Sequence, residues 1–179
     1  TQNANVRSTI GDVDMRANSL KILNGAGVSA DLGRIFIETD ADAVITGLFS
    51  GSNNRKAVSI VAGGRVFAGT LPGRVDIEAM APGAGVFIKA GLGIGDKAQA
   101  NDNYVDGPGS AAGSANAIIN TANPLRVLSA ILDFNTTAGA LYVHTLGNVT
   151  DATLLADAGH LDVLGDGDFV GTVLGGTTI

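Results

Sequence analysis

The side chains able to do chemistry are few and widely separated. His144 and His160 stand 16 positions apart, and neither is followed by a third ligand at a spacing that would complete a metal shell. Asp162, Asp166 and Asp168 in LDVLGDGDFVG set three carboxylates among glycines. A calcium ion takes roughly six to eight oxygens, and the EF-hand loop length and terminal Glu are both missing. A structural turn is the primary reading there, with incidental Ca²⁺ binding as its alternative. Gly25-Ala26-Gly27-Val28-Ser29-Ala30 fits the dinucleotide pattern G-x-G-x-x-A, but that site needs a helix after the glycines. The chain instead continues through Gly33 into the β-branched run RIFIE. Gly91-Leu92-Gly93-Ile94-Gly95-Asp96-Lys97 resembles a phosphate loop, yet its spacing is wrong and Ala98 stands where the hydroxyl residue belongs. No G-x-S-x-G elbow is present for a nucleophilic serine. Asn135-Thr136-Thr137 and Asn148-Val149-Thr150 match glycosylation sequons and read as turns.

The elements that would position any site read as short strands. Period-two alternation, or short apolar runs, mark strands over 19–23, 34–38, 43–49, 57–61, 65–68, 74–78 and 86–89. Further runs lie over 153–157, 161–164 and 169–174, and most of the strands end at Gly, Pro or Asn turns. The strongest supersecondary signal runs from Leu125 to Leu146. It predicts two antiparallel strands around Asn135-Thr136-Thr137-Ala138-Gly139, with Leu128, Ala130, Leu132 and Phe134 forming one apolar face. An edge over 98–105 and a small-residue loop over 109–117 precede it, and residues 151–158 have the pattern of a single helical turn. No repeat of fixed period is visible, which argues against a solenoid.

Composition bounds the function classes. Twenty-six of 179 residues are Gly, without a G-X-Y period, and only 16% are charged. With a mean hydropathy of +0.29, such a surface has the low charge of buried protein–protein contacts and points to assembly. The net charge of −6 argues against nucleic acid as a partner, and the 11 basic residues are scattered. Cysteine is absent, which excludes disulfides and thiolate chemistry. No apolar run reaches the roughly 20 residues of a membrane-spanning helix. The expected fold class is all-β: a Gly-rich compact β-barrel or β-sandwich of short strands with an extended N-terminal arm. That division gives residues 1–16 to the arm and 17–179 to one β-rich domain, or to two lobes divided near 80–85.

Between roughly Gly83 and Leu146 the order of features resembles the capsid decoration and head-fibre proteins of tailed bacteriophages. The shared features are a strand, the segment AGLGIGDKAQAND, an Ala/Gly/Ser-rich loop, the strand RVLSAILDF, a small-residue turn and the closing strand GALYVHTL. The resemblance covers about a third of the chain and carries over no catalytic residue. It implies a non-enzymatic virion structural protein on the outer capsid surface, binding the major capsid protein and itself as a homotrimer. A protein that binds only the assembled shell stabilises it by its binding free energy. Neither a cofactor nor a metal is expected. Arg7 and Arg16 on the N-terminal arm are the expected shell contacts, so that deleting residues 1–16 weakens shell binding and leaves the fold intact. The alternative is a surface β-sandwich binding carbohydrate or a host receptor. Sugar sites commonly use exposed aromatic platforms, and with no Trp and only Tyr104 and Tyr142 a glycan screen is expected to be negative.

Overall fold

The computed structural model describes residues 5–22, 25–69, 75–95 and 124–175. The regular elements among them are all strands: β1 (Asn5–Ser8), β2 (Val13–Ala17), β3 (Leu20–Lys21), β4 (Gly27–Ala30), β5 (Ile35–Thr39), β6 (Ala43–Ile45), β7 (Leu48–Ser50), β8 (Val58–Ala62) and β9 (Arg65–Ala68). They continue as β10 (Ile77–Ala79), β11 (Gly85–Ala90), β12 (Gly93–Ile94), β13 (Leu125–Ser129), β14 (Ile131–Thr136), β15 (Leu141–Thr145), β16 (Val149–Ala156), β17 (Leu161–Gly165) and β18 (Phe169–Gly175). Eleven form sheet A, in the order β1-β4-β7-β10-β13-β15-β12-β9-β6-β3 with β17 also on β15; seven form sheet B, in the order β18-β16-β14-β11-β8-β5-β2. The strand pairings are parallel.

Register explains the order. Val13 pairs with Ile35, Ile35 with Val58, Val58 with Val86, Val86 with Leu132, and Leu132 with Ala152. Neighbouring strands are therefore successive turns of one winding chain, and the architecture is an open parallel β-solenoid. This corrects the barrel or sandwich expected from sequence. The regular elements among the described residues are strands, but their sheets neither close into a barrel nor pair antiparallel as a sandwich of hairpins would. The extended arm is corrected too, because β1 pairs with β4 and β2 with β5. Short strands closed by glycines look alike locally whether their partners lie next in sequence or one coil away. The coil step is 22 residues from Asp12 to Arg34, 23 from Asp42 to Arg65 and 20 from Asn148 to Asp168. Longer steps between β9 and β10 and between β12 and β13 add to that drift, which hides the repeat from a search for a fixed period.

The core is a set of stacked columns, since alternate side chains of each strand point inward. Met15, Ile37, Ile60, Ile88, Phe134, Leu154 and Val173 form one column in sheet B, and its five inner members are fully buried. Leu20, Ala43, Val66, Ile94, Leu141 and Leu161 form another in sheet A. Polar residues that face inward bond to nearby backbone: Ser50 Oγ donates to the Gly33 carbonyl at 2.8 Å and Thr136 Oγ1 to that of Gly139 at 2.6 Å, as buried hydroxyls require.

The central hairpin expected at 125–146 is corrected by the same register. β14 lies in sheet B between β11 and β16, whereas β15 lies in sheet A. The chain turns a corner at exposed Ala130, which shifts the alternation by one residue. Leu125, Val127 and Ser129 face inward before it; Leu132, Phe134 and Thr136 do so after it. The strand expected over 43–49 is broken into β6 and β7 by Gly47, whose φ of 59° suits glycine. Residues 151–158, read as a helical turn, belong mostly to β16. The edge over 98–105 and the loop over 109–117 lie outside the described residues.

Glycines at one corner stack directly on the coil beneath. A Cβ at Gly63 would overlap the Asp40 carbonyl oxygen, and one at Gly91 would overlap that of Gly63. Gly91→Ala should therefore cost about 1–3 kcal/mol, the usual penalty of overpacking, as read from the urea unfolding midpoint. Gly11→Ala, whose Cβ would meet only Ser8 Oγ at 3.6 Å, should leave that midpoint close to unchanged. Deleting residues 1–16 is expected to lower it, because the cut removes β1 and most of β2 from the coil that covers Val28 and Ile35.

Candidate functional site

The outer face of sheet B carries polar and aromatic side chains around a groove. On a parallel sheet the outward residues line up in rows about 4.8 Å apart. One such row reads Asp14, Phe36, Ser59, Phe87 and Asp133. Small Ser59 thus sits between two rings that lie about two strand spacings apart. A groove of about 410 Å³ opens over the first three coils, lined by Asp12, Asp14, Arg16, Arg34, Phe36, Lys56 and Ser59 among others. Its size is within the range of small-ligand sites.

Its polar groups are held in place by their neighbours. The Asp12 carboxylate accepts from the Arg34 backbone N–H at 2.8 Å, from Arg34 Nη2 at 2.8 Å and from Arg34 Nε at 3.1 Å. Those hydrogen bonds hold Asp12 below the ordinary carboxylate range and raise the Arg34 pKa in turn. Arg16 lies 3.3 Å from Asp14 and 3.4 Å from Glu38, with its guanidinium carbon 5.5 Å from the Phe36 ring centre. Lys56 Nζ stands 4.0 Å from the centre of Phe87, a cation–π distance. The result is an apolar ring face bordered by forked donors and by carboxylate acceptors. A ring-shaped, hydroxyl-bearing ligand can stack one face on Phe36 and bond at its rim. An ionised Asp12 is the wrong state for a general acid, which needs a raised pKa.

The residues singled out from the sequence fall in different places. Arg16 borders the groove, whereas Arg7 lies on β1 in sheet A and pairs with Asp31 at 2.7 Å. His144 Nε2 is 2.8 Å from Asp166 Oδ1, Asp162 is on β17, and Asp168 donates its backbone N–H to Asn148 Oδ1 at 3.1 Å. Among the described residues no three His, Asp or Glu side chains are grouped to hold a metal ion. Gly27–Ala30 of the dinucleotide-like motif form β4, with no helix following. Of the phosphate-loop-like segment, Gly93 and Ile94 form β12, while Asp96 and Lys97 lie outside the described residues. Phe36 and Phe87 carry no local signal of a surface role in the sequence, because a Phe in a strand reads as core, and Arg34 and Lys56 belong to no recognisable motif. What would mark the two rings is period-two phase: Phe36 alternates with Ile35 and Ile37, and Phe87 with Val86 and Ile88.

Replacing Arg34 by Met should raise the Asp12 pKa part of the way toward the ordinary carboxylate range, as measured by NMR titration, because the side-chain bonds are lost while the backbone N–H of residue 34 still donates to the carboxylate. In the native protein the stabilisation from this pair is present above that range and is lost as pH falls through the depressed Asp12 pKa. The variant should therefore show a weaker acid dependence of stability at low pH. Comparison with protein families, curated proteins and solved structures finds no match to the chain.

Proposed function

We propose that this protein is a non-enzymatic, surface-displayed binding module in which a rigid β-solenoid presents the outer face of sheet B to a glycan. The observation that carries this reading is the groove at Phe36. The half-buried Phe36 ring lies there beneath the Arg16 guanidinium and is bordered by Arg34, Asp12 and Asp14, all held at the edge of parallel strands. Sugars offer a matching surface, an apolar C–H face with hydroxyls around its edge. The aromatic platform comes from Phe rather than from Trp or Tyr, which reverses the expectation of a negative glycan screen. A rigid scaffold favours affinity because little side-chain or loop ordering remains to be done on binding.

The capsid-decoration reading is the second proposal, with the major capsid protein and further copies of the chain as partners on the outer surface of a virion. It is favoured by the low charge and by the terminal strand β18, where Val170 and Leu174 are more than half exposed. In that reading Arg7 and Arg16 act from the first coil of the solenoid rather than from a free arm. Two measurements separate the proposals. A glycan array probed with the purified chain should give binding that Phe36→Ala reduces at least about fivefold, since an aromatic platform contributes on the order of 1–3 kcal/mol. Sedimentation of native source material, with the chain quantified in each fraction, should show stoichiometric co-migration with particles only if the decoration reading holds. An array without binding would overturn the glycan proposal.

A further inference from the structure

The outer face of sheet B continues past the Phe36 groove onto strands that are paired on both sides. β8 lies between β5 and β11, and β11 lies between β8 and β14. Outward positions there form two rows, one of Phe36, Ser59, Phe87 and Asp133, the other of Glu38, Val61, Lys89 and Asn135. Phe87 and Lys89 are two residues apart on β11, so both point outward, about 6.6 Å apart along the strand. Lys56, just before β8, brings its Nζ to 4.0 Å from the centre of the Phe87 ring. The same arrangement stands at Phe36, where the Arg16 guanidinium carbon is 5.5 Å from the ring centre. Both rings therefore carry a cation, and they lie two strand spacings, about 9.6 Å, apart.

The cations of this face differ in what holds them. Arg34 donates to Asp12 through Nε and Nη2, Arg16 is shared between Asp14 and Glu38, and Arg55 Nη2 lies 2.5 Å from Asp151. Lys56 and Lys89 are exposed and, among the described residues, neither is ion-paired with a carboxylate. An ammonium resting on an exposed phenyl ring is held more loosely than a guanidinium forked by a carboxylate. Asp133, half-buried and in register with Phe87, leaves two ammonium groups beside the ring against one carboxylate. An incoming anion meets both lysines without breaking an existing ion pair, whereas a neutral hydroxyl accepts only a weaker bond from them.

We infer that the glycan taken by sheet B is acidic, with its carboxylate or sulfate group bound by Lys56 and Lys89 beside Phe87. The inference rests on the glycan reading above and names the class of sugar. On binding, the Lys56 ammonium exchanges the ring face for the anion, and the apolar face of the sugar takes its place over Phe87. Asp133 and Asn135 on β14 meet the hydroxyl edge, and Asp133 turns a second anionic group away from that side by like-charge repulsion. Phe36 repeats the pairing of ring and cation two strands away, so a chain of sugar units crossing the strands contacts both rings.

Isothermal titration calorimetry with three probes tests this: an oligogalacturonate, its carboxyl-reduced counterpart and an O-sulfated galactan oligosaccharide. The wild-type chain should bind at least one acidic probe about tenfold or more tightly than the carboxyl-reduced one, since a hydrogen bond to a charged group contributes that factor or more. Added salt should narrow the gap, and whichever acidic probe binds more tightly identifies the anionic group. Lys56→Gln combined with Lys89→Gln should abolish the preference, and the corresponding double Arg variant should keep most of it, in chains whose urea midpoint matches the wild type. Equal affinity for the acidic and carboxyl-reduced probes overturns the inference and leaves the glycan reading standing. An acidic preference that survives the double Gln substitution overturns the assignment to these lysines. Absence of binding to all three probes also overturns it, and the glycan reading falls with it only if the glycan array is blank.

Discussion

The parallel backbone ladder from coil to coil is the interaction on which the rest of the molecule depends. Almost every strand takes its hydrogen bonds from the chain one turn before or after it, as in Val13 N–H to Arg34 carbonyl and Ile35 N–H to Ala57 carbonyl, both at 2.8 Å. No coil satisfies its own backbone or buries its own apolar face, so stability is a sum over neighbouring coils. Parallel pairing keeps register constant along each sheet, and constant register turns alternation within a strand into columns across strands. A column such as Ile37, Ile60, Ile88, Phe134 and Leu154 is then buried on every side, although its members are far apart in sequence. The same constraint accounts for the glycine content at the corners, where successive turns stack closely enough for the Gly63 and Gly91 positions to exclude a side chain.

Constant register also builds the surface. Outward residues of successive coils form rows with strand spacing, so Phe36, Ser59 and Phe87 become neighbours on one face without any local sequence motif. Ion pairs between coils, Arg34 to Asp12 and Arg7 to Asp31, tie the rows together at the exposed surface. Such pairs contribute little to stability where solvent screens them. Their larger effect is positional, since a guanidinium held by two bonds presents its remaining N–H groups in a fixed direction. The groove therefore combines a preorganised rim with an aromatic floor.

Much of the local structure was legible in the sequence, because strand formation depends on alternation and turn residues that lie close together. The run 65–68 is β9, and 34–38, 57–61 and 86–89 fall within a residue of β5, β8 and β11. Composition likewise settled that thiolate and disulfide chemistry are absent. Which strands pair, and in which sense, was decided only by the tertiary structure. Pairing across one coil depends on residues about 20 to 23 positions apart, and longer connections break any visible period. The corner at Ala130 shows how one residue of phase converts an apparent hairpin into strands of two different sheets. The groove at Phe36 was hidden for the same reason: an aromatic residue is core or surface according to the phase of its strand, and the phase is set by what the strand stacks upon.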